Sequence, residues 1–454
     1  MRSIVVLCLA AALASCRSGQ PGTPAPRVAA SAVDIVAAAD RMAALDLWPG
    51  FDPRTVPVAI FDGRSTWLFR HPSPPAGFEP DLAHPAVLVF PGRHPDVTAN
   101  TSAPIGGVPT AVLTLDPRRR YSVTAMGAVL VHESFHVFEH QRHPGWTANE
   151  VELFTYPDDD VEALSLRRGE TEALRRALAI AGAATSACWA RQALAERAAR
   201  YARLPQGSVA YERGIELLEG LSEYVEYRAR NAPMLAVIPA ADYPPDVVRQ
   251  RGYRAGLALA RLLDRFSPDW RASLERHDST TLDGMLGVAL SQRADTAARC
   301  GFSAGTPAAA RDRALRDVAA LREARAARRR AFLSQRGWRI VVDATASPLY
   351  PQGFDPLNVR KLTDGEILHT RWLRLGRPGS TIEVMGRASL TESAGTHPLF
   401  EGVRTLTVTG LPAEPSISAV EGGVTVEADG VRGQFANAEV EPRQRERILR
   451  VRLR

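Results

Sequence analysis

The sequence predicts an α+β protein with a small N-terminal sheet, a mostly helical body and an all-β C-terminal module, because three textures follow one another along its 454 residues. The runs VAIF, TWLF, AVLVF and TAVLTL, broken by Pro and Gly within residues 57–70 and 86–115, have the length and apolar content of strands. Residues 122–334 are rich in Ala, Leu, Arg and Glu, which lose least on entering a helix. From Trp338 onward the pattern alternates in short runs such as RIVVDA, STIEVMG, RTLTVTG and GVTVEA, set apart by Gly, Pro and Asn, as in a β-sandwich.

Taken in order, residues 1–15 read as an export signal: Arg2, an apolar stretch over residues 4–13, then small residues, too short to span a membrane. Leu13-Ala14-Ser15-Cys16 resembles the bacterial lipobox, which implies that Cys16 is lipidated and becomes the mature N-terminus; an ordinary signal cut nearby is the other reading. Arg17 rather than Asp follows the cysteine, so the resemblance implies an exported protein, lipid-anchored in the envelope and, in a Gram-negative host, on the outer membrane facing the periplasm. Residues 16–29, with SGQPGTPAP at their heart, form a flexible tether. A short helix is expected over residues 30–48, opening a domain that runs to residue 306. The basic stretch 307–335 reads as a linker helix and residues 336–454 as the β-sandwich-like domain.

Composition narrows the function. With 45% hydrophobic and 23% charged residues, the chain is globular and long enough for a substantial core. Its net charge of +6 comes almost entirely from arginine, since Lys361 is the only lysine. Basic density peaks at residues 322–330 and 443–454, where a solvated helix face and a charged strand end compete with attraction to anionic lipid as explanations. An export signal and the lack of interleaved aromatic residues argue against a nucleic-acid partner. Once Cys8 leaves with the signal and Cys16 takes the lipid, Cys188 and Cys300 remain; one disulfide and two buried thiols both fit the sequence.

The chemistry concentrates in His132-Glu133-Ser134-Phe135-His136. On a helix, positions i and i+4 share a face, so both imidazoles can reach one zinc ion, and Glu133 lies beside that face as a general base. The apolar run VTAMGAVLV over residues 123–131 leads into the motif, with Ser122 placed to cap the helix. A surface helix with two exposed histidines is the alternative, and the apolar run argues against it. Burying two imidazoles around a carboxylate costs free energy unless a metal or partner compensates. His140 and His143 continue the helix and are read as surface groups or as partners of the ligands.

A third ligand decides the class. The metzincin pattern would place Gly at 139 and His at 142, where Glu139 and Arg142 stand; the shortest Glu spacing would fall on Thr155 or Tyr156. Asp158, Asp159 and Asp160 offer carboxylates, but YPDDD reads better as a helix start. Further on, Glu212, Glu216, Glu219, Glu223 and Glu226 recur at steps of 4, 3, 4 and 3 along one helical stripe. Within it, Glu219-Gly220-Leu221-Ser222-Glu223-Tyr224 resembles the E-G-[LF]-[AST]-x-[YF] signature of gluzincin-type zinc metallopeptidases.

That resemblance is strongest over residues 86–275 and implies a zincin-like catalytic domain over residues 30–306. Glu219 would be the third ligand of one Zn2+ ion. Glu223, one turn on, would hydrogen-bond a ligating histidine, with Glu216 as the weaker candidate. Residues 158–205 would be a helical hairpin inserted between the ligand helices. It also implies an edge strand at Ile105-Gly106-Gly107-Val108 that pairs with substrate backbone, a helix over residues 251–274, and an oxyanion-stabilising hydroxyl from Tyr253 or, second, Tyr224. Packing with a satisfied hydroxyl explains either tyrosine equally well. The implied reaction is hydrolysis of peptide bonds in the envelope, with a zinc-bound water activated by Glu133. A zinc hydrolase of a non-peptide amide in the cell wall would carry the same motif. A non-catalytic envelope lipoprotein with a vestigial metal site is the reading from another class, and the intact Glu133 argues against it. Oligomeric state, substrate sequence and the choice between endopeptidase and aminopeptidase leave no mark on the sequence.

Overall fold

A computed structural model describes residues 31–454 apart from 232–236, 278, 294–298 and 356–357; the signal, Cys16 and the tether lie outside the described residues. The chain divides into two units, residues 1–149 with 162–311, and residues 150–161 with 312–454.

The first unit opens with α1 (Ala32–Met42), capped by Ser31, whose hydroxyl accepts the Asp34 N–H. Six strands follow: β1 (Val58–Phe61), β2 (Ser65–Phe69), β3 (Glu79–Pro80), β4 (Leu88–Pro91), β5 (Thr101–Ile105) and β6 (Val108–Thr114). They form one sheet in the order β3-β4-β2-β1-β6-β5, antiparallel except for the β1–β6 pair. Side chains alternate across it. Val58, Ile60, Ala111 and Leu113 join the main core with the helices, while Ala59, Leu68, Ile105 and Val112 pack on the opposite face. The edge strand is β5 itself. The expected edge segment, residues 105–108, is instead the β5–β6 hairpin turn, because Gly106 and Gly107 take φ of +54° and +86°, which close the chain back on itself.

The remaining helices are α2 (Val123–Arg142), α3 (Val161–Ala179), α4 (Ala183–Tyr201), α5 (Gln206–Arg230), α6 (Val248–Phe266), α7 (Trp270–Arg276), α8 (Leu282–Ser291) and α9 (Gly305–Leu333). Ser122 caps α2, accepting the Ala125 N–H at 3.3 Å. The helical hairpin expected over residues 158–205 is α3 and α4. The helix expected over residues 251–274 is two, α6 and α7, separated at Ser267-Pro268, where proline disfavours helical backbone at the residue before it. None of these helices, among the described residues, is long and apolar enough to cross a membrane.

Two devices fix α5. Gly220 on α5 meets Gly256 on α6 so closely that a Cβ on Gly220 would stand 2.7 Å from the Gly256 Cα. The pair lets the two backbones touch, bringing α6 against the middle of α5. On another side, α4 inserts two buried arginines. Arg197 spans Glu170 and Glu216, and Arg200 spans Glu170 and Glu212, through bidentate pairs at 2.5–3.1 Å. Arg251 of α6 adds a contact of 3.0 Å to Glu170. Burial works against the Glu170 charge, but Arg197, Arg200 and Arg251 outweigh it and hold the carboxyl well below its ordinary range.

Cys188 on α4 pairs with Cys300 across 112 residues, their Cα atoms 5.9 Å apart. This resolves the choice left open by the sequence in favour of a disulfide.

The second unit contains thirteen strands among its described residues, from Trp338–Asp343 to Ile448–Leu453, in sheets of seven and six. They share one core, to which Ile340, Val342, Leu406 and Val408 contribute from one sheet and Leu375, Ile382, Val384 and Val426 from the other. Phe154, from the 150–161 segment, joins that core, an excursion the sequence did not announce. The basic run is largely consumed by ion pairs: Arg322 with Asp159 at 3.0 Å, Arg325 with Asp158, Arg329 with Glu366 at 2.7 Å and Arg330 with Glu323 at 2.7 Å. At the C-terminus Arg443 pairs with Glu441 at 3.0 Å and Arg454 with Glu439. These pairs favour a structural role for the arginines over lipid attraction.

Replacing Cys188 and Cys300 by alanine, or reducing the bond, should lower the stability of the first unit by about 3–5 kcal/mol, the range for closing a loop of this length. Urea unfolding with and without reductant measures it, and an unchanged midpoint would refute the pairing.

Candidate functional site

The site forms where α2 and α5 face each other. The apolar residues Met126, Ala128, Leu130 and Val131 bury α2 in the core and so carry His132, Glu133 and His136 inward, all but closed to solvent. From α5, Glu219 turns one carboxylate oxygen toward both rings: Oε2 lies 3.6 Å from His132 Nε2 and 3.3 Å from His136 Nε2. One ligand atom from each of His132, His136 and Glu219 lies within 4.8 Å of the others, a spacing that could hold one metal ion. The three residues that the sequence names as ligands, with 82 residues intervening at the wider gap, thus come together.

Each imidazole is fixed from behind. His132 Nδ1 lies 3.2 Å from Glu226 Oε2, and His136 Nδ1 lies 2.9 Å from Glu139 Oε2. Ser222 donates to the same Glu139 oxygen at 3.0 Å. Carboxylates in this position set the tautomer that presents Nε2 to a metal. The sequence reading assigned this role to Glu223 or Glu216, and the structure corrects both. Glu223 projects toward α6, where Arg254 takes it at 2.8 Å, although it stays near His132. Glu216 faces α4 and is held by Arg197. Glu226 belongs to the stripe already recognised, one turn further on. Glu139, only three residues after His136, was passed over as a mismatch to another pattern; its signal was the i,i+3 step that puts it over the His136 ring.

Charge supports a fit to a divalent cation. Five carboxylates surround the imidazoles: Glu133, Glu139, Glu219, Glu223 and Glu226. Three of them meet arginines, Glu219 with Arg249 at 2.7 Å, Glu223 with Arg254 and Glu226 with Arg230. Glu133 and Glu139 lie against the imidazoles instead. Burial disfavours the His136 cation, but Glu219 and Glu139 outweigh it and raise its pKa to about 9. Burial pushes Glu133 up to about 7 against the pull of His132 and His136. Its Oε2 is buried with no hydrogen-bond partner, an orphaned acceptor that needs something at the site to bind. Two imidazole nitrogens with one carboxylate oxygen suit zinc in kind and number and leave a fourth position free.

No protein-family model, curated protein or solved structure matches this chain.

The other named residues divide. Tyr253, on α6, lies beside the site with its ring nearly parallel to His132, centroids 6.4 Å apart. Tyr224 does not reach it. Its ring packs edge-on to Trp48 and Trp270, and its hydroxyl donates to Asp264 at 2.8 Å, because α5 turns this position to the core. Asp158 and Asp159 are committed to Arg325 and Arg322. His143 is buried rather than exposed, stacked on Trp146 at 3.9 Å and paired with Glu275 at 3.0 Å. His140, however, lines the small cleft over the site with Thr101, Ser102, Glu133, His136, Leu218 and Glu219. Its Nδ1 lies 3.1 Å from the Ser102 hydroxyl of β5, so the edge strand forms one wall of that cleft.

Glu226→Gln and Glu139→Gln should each weaken metal binding by roughly 10–100-fold, while Glu223→Gln should do less. Competition against a chelator of known affinity measures this; equal binding by all three variants would contradict the assignment.

Proposed function

We propose that this chain is an exported zinc peptidase of gluzincin type, in which His132, His136 and Glu219 hold one zinc ion and Glu133 is the general base. The observation that carries the reading is the convergence of Glu219 Oε2 on both Nε2 atoms, beside a buried Glu133 with a free oxygen. Both halves of the motif pattern, distant in sequence, meet at one point.

A zinc ion bound there would polarise the scissile carbonyl and make the attacking water more acidic. Glu133 Oε2 takes that water's proton and returns it to the departing amine, a double duty suited to a carboxyl that burial holds near neutrality. The buried walls keep bulk water from competing for the base. Tyr253, its ring beside His132, is the hydroxyl proposed to steady charge on the carbonyl oxygen. The substrate reading rests on β5. As an edge strand it borders the cleft at Thr101 and Ser102, where an extended peptide can run alongside it. The Cys188–Cys300 bond is compatible with an oxidising compartment, as the export signal and the lipobox-like Cys16 imply.

Glu133→Gln should lower kcat/KM on a mixed peptide library by about 10²–10⁴-fold with zinc content unchanged. Full activity in that variant would refute this mechanism. Cleavage of amide-bearing cell-wall fragments but not of peptides would keep the chemistry and replace the substrate.

A further inference from the structure

Arg249, in the first turn of α6, meets two groups of the site at once. Its Nη2 donates to Glu219 Oε1 at 2.7 Å, and its Nη1 donates to the Tyr253 hydroxyl oxygen. Its guanidinium also sits over the Tyr253 ring, 5.2 Å from the centroid. The consequence for Glu219 is geometric. A carboxylate can bind a metal through one oxygen or both, and here Oε1 is taken by the arginine while Oε2 alone faces the histidines. The consequence for Tyr253 follows from donor counting. Because the arginine supplies the hydrogen to the phenol oxygen, the phenol keeps its own hydrogen, which the neighbouring Glu219 carboxylate accepts.

The fork is what permits both contacts. A guanidinium presents several N–H groups in a fixed plane, whereas an ammonium is a single point charge. Arg249 and Tyr253 are four residues apart on one face of α6. That face is brought to Glu219 by the Gly220–Gly256 contact, which allows the α6 backbone to touch α5 just beyond the ligand.

Resting on the zinc reading above, we propose that Arg249 is a positioning residue: it restricts Glu219 to one-oxygen ligation and holds the Tyr253 hydroxyl beside the metal position. It touches neither the metal nor the substrate in this role. The site would thereby keep its fourth position open by a contact made from outside the ligand set.

The test compares wild type, Arg249→Met, Arg249→Lys, Tyr253→Phe and His132→Ala in the full exported chain, with thermal melting of the metal-free proteins as the fold control. Zinc affinity is read by chelator competition, and ligand geometry by the visible absorption of the cobalt(II)-substituted protein. Arg249→Met should lose roughly 10–100-fold in zinc affinity and show the weaker cobalt bands of a higher coordination number, since Glu219 is free to swing both oxygens inward. Arg249→Lys should recover most of the affinity, because the charge remains, and Tyr253→Phe should leave both affinity and spectrum unchanged. Zinc affinity and cobalt spectrum in Arg249→Met equal to wild type would overturn the assignment. If Arg249→Met fails the melting control, Arg249→Lys decides: a cobalt spectrum identical to wild type means that the fork is not needed and overturns it. A wild-type chain that binds no zinc, or a His132→Ala variant that binds it equally well, would overturn the proposed function itself and this inference with it.

Discussion

The site depends on a single apposition: α5 lies against α2 so that one oxygen of Glu219 stands between two imidazoles one helical turn apart. Neither helix could bury these groups alone. Two imidazoles and the carboxyls of Glu133 and Glu219 removed from water carry a desolvation penalty of several kcal/mol per charge unless each finds a partner. Glu139 and Ser222 behind His136, Glu226 behind His132 and Arg249 behind Glu219 supply those partners. Glu133 Oε2 stays unsatisfied at the place where chemistry would occur, as do Glu139 Oε1 and His132 Nδ1, the latter 3.2 Å from Glu226.

The acidic stripe of α5 shows how the surrounding fold holds that apposition. Five carboxylates along one helix would repel one another if they faced water together. They are divided instead. Glu212 and Glu216 meet Arg200 and Arg197 of α4, while Glu219, Glu223 and Glu226 meet Arg249, Arg254 and Arg230 as well as the histidines. The helical hairpin that looks like an insertion in sequence thus has a mechanical role, since its arginines fix the turn and depth of α5. The disulfide adds a covalent restraint to the same hairpin through Cys188. Gly220, directly after Glu219, has no side chain because α6 needs that space.

Much of this was legible in the sequence because it is local or periodic. The i,i+4 histidines, the apolar run that buries them, the Ser122 cap and the 4-3-4-3 stripe are helix geometry written in residue spacing, and the change to alternating runs after Trp338 announces the β unit. What escaped is set by how helices rotate against one another. Spacing places Glu223 and Glu226 on the same stripe, but only the crossing of α5 with α2 and α6 decides that Glu226 reaches His132 while Glu223 goes to Arg254. Tyr224 sits beside the motif residues in sequence yet turns to Trp48 and Trp270, and Arg249, 30 residues from Glu219, has no local signal at all. The edge strand was misplaced by a few residues because Gly106-Gly107 was read as extended when its positive φ angles make a turn.

The proposed zinc site is defined by the identity of the atoms that would surround the ion. X-ray absorption at the zinc edge of the metal-loaded chain reads them directly. Two imidazole nitrogens at about 2.0–2.1 Å with a carboxylate and a further oxygen at about 2.0–2.2 Å, and loss of this shell in Glu219→Ala, is the predicted result. A shell containing sulfur, one built of oxygens alone, or one that survives the loss of Glu219 would contradict it.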